Sequence, residues 1–115
     1  MYTIYIPDWT PTPLNKLLKV HWSNSRKMKK TDAEIISAYS RSCVPATIQK
    51  RSVSLIIILP KGQRACDPDA YWKSLLDGLV KCGLLVNDSA RWCQNGFVEF
   101  ARGERLASFI ILEDL

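Results

Sequence analysis

Between positions 67 and 88, charged side chains recur at spacings that suit divalent-cation chemistry. Asp67, Asp69, Lys73, Asp77 and Lys81 follow one another closely, and from Asp69 onward the charges repeat every fourth position. In an α-helix that spacing lines one face. Alternating acid and base at i,i+4 is also how a solvated helix face is built, which is the preferred reading of Asp77 and Lys81. Asp67 and Asp69 are different: two carboxylates two positions apart repel each other unless a cation lies between them. A helix from Asp69 to Cys82 rises about 20 Å at 1.5 Å per residue. An extended return from the Gly83 turn to Asp88 covers roughly 17 Å, so Asp88 is expected level with Asp67 and Asp69.

Three carboxylates and the Lys73 ammonium would then share one end of the helix. Hard oxygen ligands of this kind suit Mg²⁺ or Mn²⁺, which take a few carboxylates, keep waters and accept phosphate oxygens. One or two such ions lower the pKa of an attacking water and stabilise both oxygens of an in-line displacement at phosphorus. Lys73 is placed to neutralise charge on the pentacoordinate phosphate or to orient the water.

Other chemistries fit poorly. His21 is the only histidine, and Ser23 beside it stands in no GxSxG context, so a triad is not expected. Lys61-Gly62-Gln63-Arg64 lacks the pattern of a phosphate-binding loop, and no nucleotide cofactor is expected. Cys43, Cys66, Cys82 and Cys93 form no CxxC pair, so zinc is not expected; they read as reduced, mostly buried thiols in a reducing cytoplasm. Acidic neighbours of Cys66 disfavour a thiolate nucleophile.

The net charge of +5 is unevenly spread. Residues 1–64 carry eleven Lys/Arg against three Asp/Glu, and residues 65–115 carry five against eight. The first half is built to meet a polyanion while the second concentrates carboxylates. A nuclease uses both; a plain binding module needs only the cations. Lys16, Lys19, Arg26, Lys27, Lys29 and Lys30, helped by Arg64, are the expected contacts to DNA phosphates, with shape rather than base edges dominating recognition. The longest apolar run, Leu55 to Leu59, is too short to cross a bilayer, and the N-terminus lacks a secretory pattern, so no membrane association and a soluble intracellular protein are expected.

The elements that must position these side chains read as one domain over 1–115. Tyr2 to Ile6 alternates like a first strand, stopped by Pro7. Leu14 to Lys30 holds six basic residues and no acid, with a weak apolar period, and reads as a partly ordered loop or arm. Thr31-Asp32-Ala33-Glu34 is a capping-box pattern opening a helix to about Ser42. Ser52 to Leu59 is β-branched and nearly continuous, suiting a central strand. Asp67 and Pro68 open a second helix as N-cap and first position. Trp72, Leu75, Leu76, Leu79 and Val80 are its buried stripe, and Gly83 its C-terminal cap. Strands from about Trp92 to Ala101 and Leu106 to Leu112 complete a β-α-β-α-β-β order. That is an α+β fold, with two helices against a mixed or mostly antiparallel sheet.

The run Asp67-Pro68-Asp69-Ala70-Tyr71-Trp72-Lys73, continuing to Asp77-Gly78-Leu79 and then Gly83 to Asp88, resembles the RusA-type Holliday-junction resolvase family. That family's motif has the form D-x-D-N-x-x-K-x-x-x-D-x-L followed by G-x-x-x-D-D, and every spacing is matched. At pattern level the first strand, the basic segment and the strand feeding the motif fit as well. The resemblance implies a homodimer that cuts four-way DNA junctions by paired symmetrical nicks with Mg²⁺ or Mn²⁺. It implies that Asp67, Asp69 and Asp88 are metal ligands, that Lys73 is the catalytic lysine, and that Asp77 and Asn87 are supporting. It also implies a recombination or repair role in a bacterial or phage-infected cell. Ala70 replaces the family's frequent Asn, and Asn87 replaces the first acid of its Asp-Asp pair, removing one charge.

Two other readings have distinct consequences. A non-catalytic nucleic-acid-binding protein that retains the fold binds junctions without metal-dependent cleavage. A phage assembly module, self-associating through its charge asymmetry, shows no preference for branched DNA.

Overall fold

The computed structural model describes residues 1–43, 45 and 49–115. Its centre is β2 (Arg51–Pro60), the β-branched run, whose residues Val53, Leu55, Ile57 and Leu59 are buried. β2 pairs in parallel with β3 (Cys93–Gly103) on one side and antiparallel with β4 (Ala107–Asp114) on the other. β1 (Tyr2–Pro7) pairs antiparallel with β4, giving a four-stranded mixed sheet of order β1-β4-β2-β3. Although β3 and β4 follow one another in the chain, β2 lies between them. The parallel β2–β3 pair requires a crossover. That crossover carries a 3-10 turn (Pro68–Tyr71) and α3 (Trp72–Lys81), the segment holding the acidic motif.

Two further helices, α1 (Leu14–Lys19) and α2 (Trp22–Tyr39), precede β2. Ile36 of α2 and Leu75, Leu76 and Leu79 of α3 join Ile4, Ile6, Ile110 and Leu112 of the sheet in one apolar core. A Cβ built on Gly78 would lie 2.8 Å from Ile36 Cδ1, so glycine lets α3 approach α2 closely. The α+β class, the strand order along the chain and the leucine stripe agree with the sequence reading; Trp72 and Val80 are half-buried at its margins. Gly83 has φ +77°, the left-handed conformation expected just past a helix end.

Three local expectations are corrected. The basic segment Leu14–Lys30 is helical, forming α1 and the first half of α2. Leu17 anchors α1 by burial, and the His21 ring caps α2 by accepting from the Ser23 backbone N–H at 3.3 Å. Lysine and arginine are good helix formers, and an imidazole cap lies outside the usual set. Thr31 is therefore interior to a helix rather than its cap, and its hydroxyl donates to the Lys27 carbonyl at 2.9 Å. Among the described residues three α-helices, not two, accompany the sheet.

Candidate metal and nucleic-acid site

Asp67 precedes the 3-10 turn with extended backbone, and its side chain makes no capping hydrogen bond, contrary to the sequence reading. The Ala70 N–H is instead satisfied by the Asp67 backbone carbonyl at 2.9 Å. Because the segment opens as a 3-10 turn, with fewer residues per turn than an α-helix, Asp69 lies outside the regular helix that carries Lys73, Asp77 and Lys81. Asp67 and Asp69 border a hollow of about 290 Å³ together with Leu14, Asn15, Leu18 and Ala70. Both are exposed, and among the described residues neither carboxylate has a hydrogen-bond or ion-pair partner.

Asp88 does not border that hollow. The chain after Gly83 does not run back extended; Leu84 and Leu85 turn in, and their N–H groups donate to the Leu79 carbonyl at 2.9 and 3.3 Å. Both leucines are buried, so their apolar surface holds the turn against the end of α3. The Asn87 side chain accepts from the Ser89 N–H at 3.0 Å, and the Trp92 and Cys93 N–H groups return to the Ser89 carbonyl. This compact turn places Asp88 with Asp77, Val80, Lys81 and Asn87 around a second hollow of about 180 Å³. The exposed Asp88 carboxylate likewise has no hydrogen-bond or ion-pair partner among the described residues, and its charge is felt by the buried Cys93 thiol.

Lys73 and Asp77 are joined at 3.8 Å, and Lys29 of α2 reaches the same Asp77 oxygen at 3.5 Å. Asp77 is thus a bridge between α2 and α3. Lys73 is 53% exposed, so its pair with Asp77 is screened by water and holds the ammonium weakly.

A third hollow, about 490 Å³, lies between α2 and α3 and is lined by Arg26, Lys27, Lys29, Lys30 and Lys81, with Trp22, Ser23 and Asp77. Four of the sequence-predicted DNA contacts converge here. Lys16 and Lys19 stand on α1 and Arg64 in the loop after β2, all exposed but outside this hollow. Lys81, read as part of a solvated face, is exposed and also lines this basic hollow.

Two buried charged residues hold this arrangement in place, and neither was singled out from the sequence. Asp32 is 4% exposed; Trp9 Nε1 donates to its Oδ1 at 3.0 Å, and its Oδ2 accepts from the Thr12 N–H, the Thr12 hydroxyl and the Ser74 hydroxyl. Arg51, 1% exposed, pairs with Asp114 at 2.6 Å and donates to the Leu84 carbonyl at 2.9 Å, fixing the base of the Asp88 turn. A buried charge is tolerated only when its hydrogen bonds are filled. For Asp32 the only sequence signal was an acid on the apolar side of a helix.

Exposed carboxylates two residues apart fit a magnesium ion, which binds one or two carboxylates, keeps several waters and takes phosphate oxygens. Among the described residues no three acidic, His or Cys side chains are grouped closely enough to share a metal ion. No family model and no curated protein matches this chain. No helix among the described residues is long and apolar enough to cross a membrane.

Proposed function

We propose that this chain is a metal-dependent, structure-selective DNA endonuclease that resolves four-way junctions by paired nicks in recombination or repair. The observation that carries the reading is the pair of unpartnered carboxylates, Asp67 and Asp69, on the crossover whose helix α3 borders, with α2, a hollow lined by five cations. Carboxylates and a basic surface together are what phosphodiester hydrolysis uses; the cations alone would serve binding only.

Asp67 and Asp69 would hold Mg²⁺ or Mn²⁺, with Asp88 as the third ligand. When bound, that ion supplies a water of lowered pKa and charge stabilisation at both oxygens of the displacement. Lys73, exposed and weakly held by Asp77, turns its ammonium toward the phosphate under attack. Asp77 keeps Lys29 and Lys73 within reach of the same strand, and Asn87 shapes the turn that presents Asp88. Arg26, Lys27, Lys29 and Lys30, with Lys16, Lys19 and Arg64 further out, carry the DNA backbone. Since Asp88 borders a different hollow from Asp67 and Asp69 within one chain, the proposed homodimer has a specific role: one subunit's Asp88 completes the ligand set of the other. The setting this reading implies is the cytoplasm of a bacterial or phage-infected cell.

The second reading, a non-catalytic nucleic-acid-binding protein, is favoured by one observation: the basic hollow is complete without any metal ligand. Labelled four-way junctions incubated with and without Mg²⁺ separate the two. Paired nicks from the wild type, and binding without cutting from Asp69→Asn, are expected; binding that never leads to cutting, at any metal concentration, selects the second reading.

A further inference from the structure

Trp22 is 63% exposed at the first turn of α2, in a stretch where every charged neighbour is basic. The Arg26 guanidinium lies 5.7 Å from its ring centroid, and the His21 ring is 5.5 Å away, tilted by 37°. Trp22 lines the basic hollow together with Arg26, Lys27, Lys30 and Lys81. Among the described residues Asp77 is the one carboxylate lining that hollow, and its charge is already met by Lys29 and Lys73. An exposed indole face is not needed to neutralise phosphate, which lysines and arginines accomplish. It does provide a stacking platform, and base-on-aromatic stacking beside a cationic backbone track is how unpaired strands are held. At about 490 Å³ the hollow lies within the range of sites that hold a small organic ligand.

We propose that this hollow binds a single unpaired nucleotide, its base stacked on Trp22 and its phosphates on Lys27, Lys30 and Lys81. The inference rests on the nucleic-acid reading above and extends it from shape and backbone to one extruded base. Paired duplex hides its base faces, whereas a branch point or a free strand offers them. The hollow shares Asp77 and Lys81 with the one that Asp88 borders, so a nucleotide seated here holds its strand beside Asp88.

The test is binding in EDTA, read by fluorescence anisotropy, of labelled oligothymidylate, an abasic strand of equal length and a blunt duplex. The wild type is expected to bind oligothymidylate roughly tenfold more tightly than the abasic strand. Trp22→Ala is expected to erase that difference without changing the salt dependence, and Trp22→Phe to keep most of it. Lys81→Ala is expected to keep the base preference and flatten the salt slope by about 0.7. Equal binding of thymidylate and abasic strands by the wild type, or an unaltered preference in Trp22→Ala, overturns the proposal. Should that occur while junctions are still cut in Mg²⁺, the nuclease reading stands alone. Trp22-dependent base preference without any cutting would uphold this site and remove the nuclease; binding to none of the probes overturns this site, and junction cleavage in Mg²⁺ then decides the nuclease reading separately.

Discussion

The hydroxyl of Ser74 on α3 donates to Oδ2 of Asp32 on α2 at 2.5 Å, joining the two helices whose facing residues line the basic hollow. The same carboxylate collects Trp9 and Thr12, so one buried acid fastens the proline-rich segment, α2 and α3 together. Removing it strands the donors in a buried site, each at a desolvation cost. Asp32→Ala is expected to lower stability by about 2–4 kcal/mol and Ser74→Ala by about 1–2 kcal/mol. Urea unfolding measures this; an Asp32→Ala midpoint equal to wild type contradicts it.

Much of the fold was legible because it follows from strong local patterns. β2 is a β-branched run and α3 carries a leucine stripe, so both emerge from periodicity, and Gly83 marks where the helix stops. The start of α2 was hidden, since its cap is His21 and its first half is basic with only a weak apolar period. Nothing local in the sequence singles out Arg51, and for Asp32 only its place on the apolar side of a helix does; tertiary packing shows that their hydrogen bonds are filled from segments far away in sequence. The path of Asp88 was misjudged because burial of Leu84 and Leu85 prevails over an extended return. Which side chains share a hollow was beyond spacing, since each hollow is lined from separate segments of the chain.

Gly83 adopts φ +77° with no atom within 4 Å of a built Cβ, so a substitution there meets backbone strain but no clash. Gly83→Ala is expected to cost roughly 1–2 kcal/mol, the price of a left-handed conformation for a side-chain-bearing residue. Thermal unfolding checks this. A larger loss would mean that the turn carries contacts beyond its dihedral angles, and no loss would refute the strain.

Burial pushes the Cys43, Cys82 and Cys93 thiols above their ordinary 9.0, and the Asp88 carboxylate raises Cys93 further. Burial likewise raises the Tyr71 phenol above its ordinary 10.0. Folding holds these protons more tightly than the unfolded chain does. Their contribution is therefore complete below the unfolded values of 9.0 and 10.0 and is lost as pH rises through the higher folded ones. The urea midpoint is expected to fall above about pH 9, and iodoacetamide to label these three thiols mainly after unfolding. A midpoint that rises with alkaline pH contradicts the assignment.

If Lys27, Lys30 and Lys81 each meet a phosphate, every neutralisation should remove counterion release from binding. Each Lys→Ala variant is expected to reduce the slope of log affinity against log salt by about 0.7 on a single strand. Lys61→Ala, at a position outside the basic hollow, is expected to leave that slope unchanged. Equal slopes for all variants would place the DNA elsewhere.

The central claim is that the carboxylates at 67, 69 and 88 serve one divalent ion at the scissile phosphate. Its most direct measurement is single-turnover cleavage of a four-way junction across a Mg²⁺ titration, for the wild type and for Asp67→Asn, Asp69→Asn and Asp88→Asn. Each variant is expected to bind the junction like the wild type and to cut it at least about 100-fold more slowly, on the order of 2.7 kcal/mol of lost transition-state stabilisation. Wild-type cleavage by Asp69→Asn or Asp88→Asn, with the same metal dependence, would contradict the account.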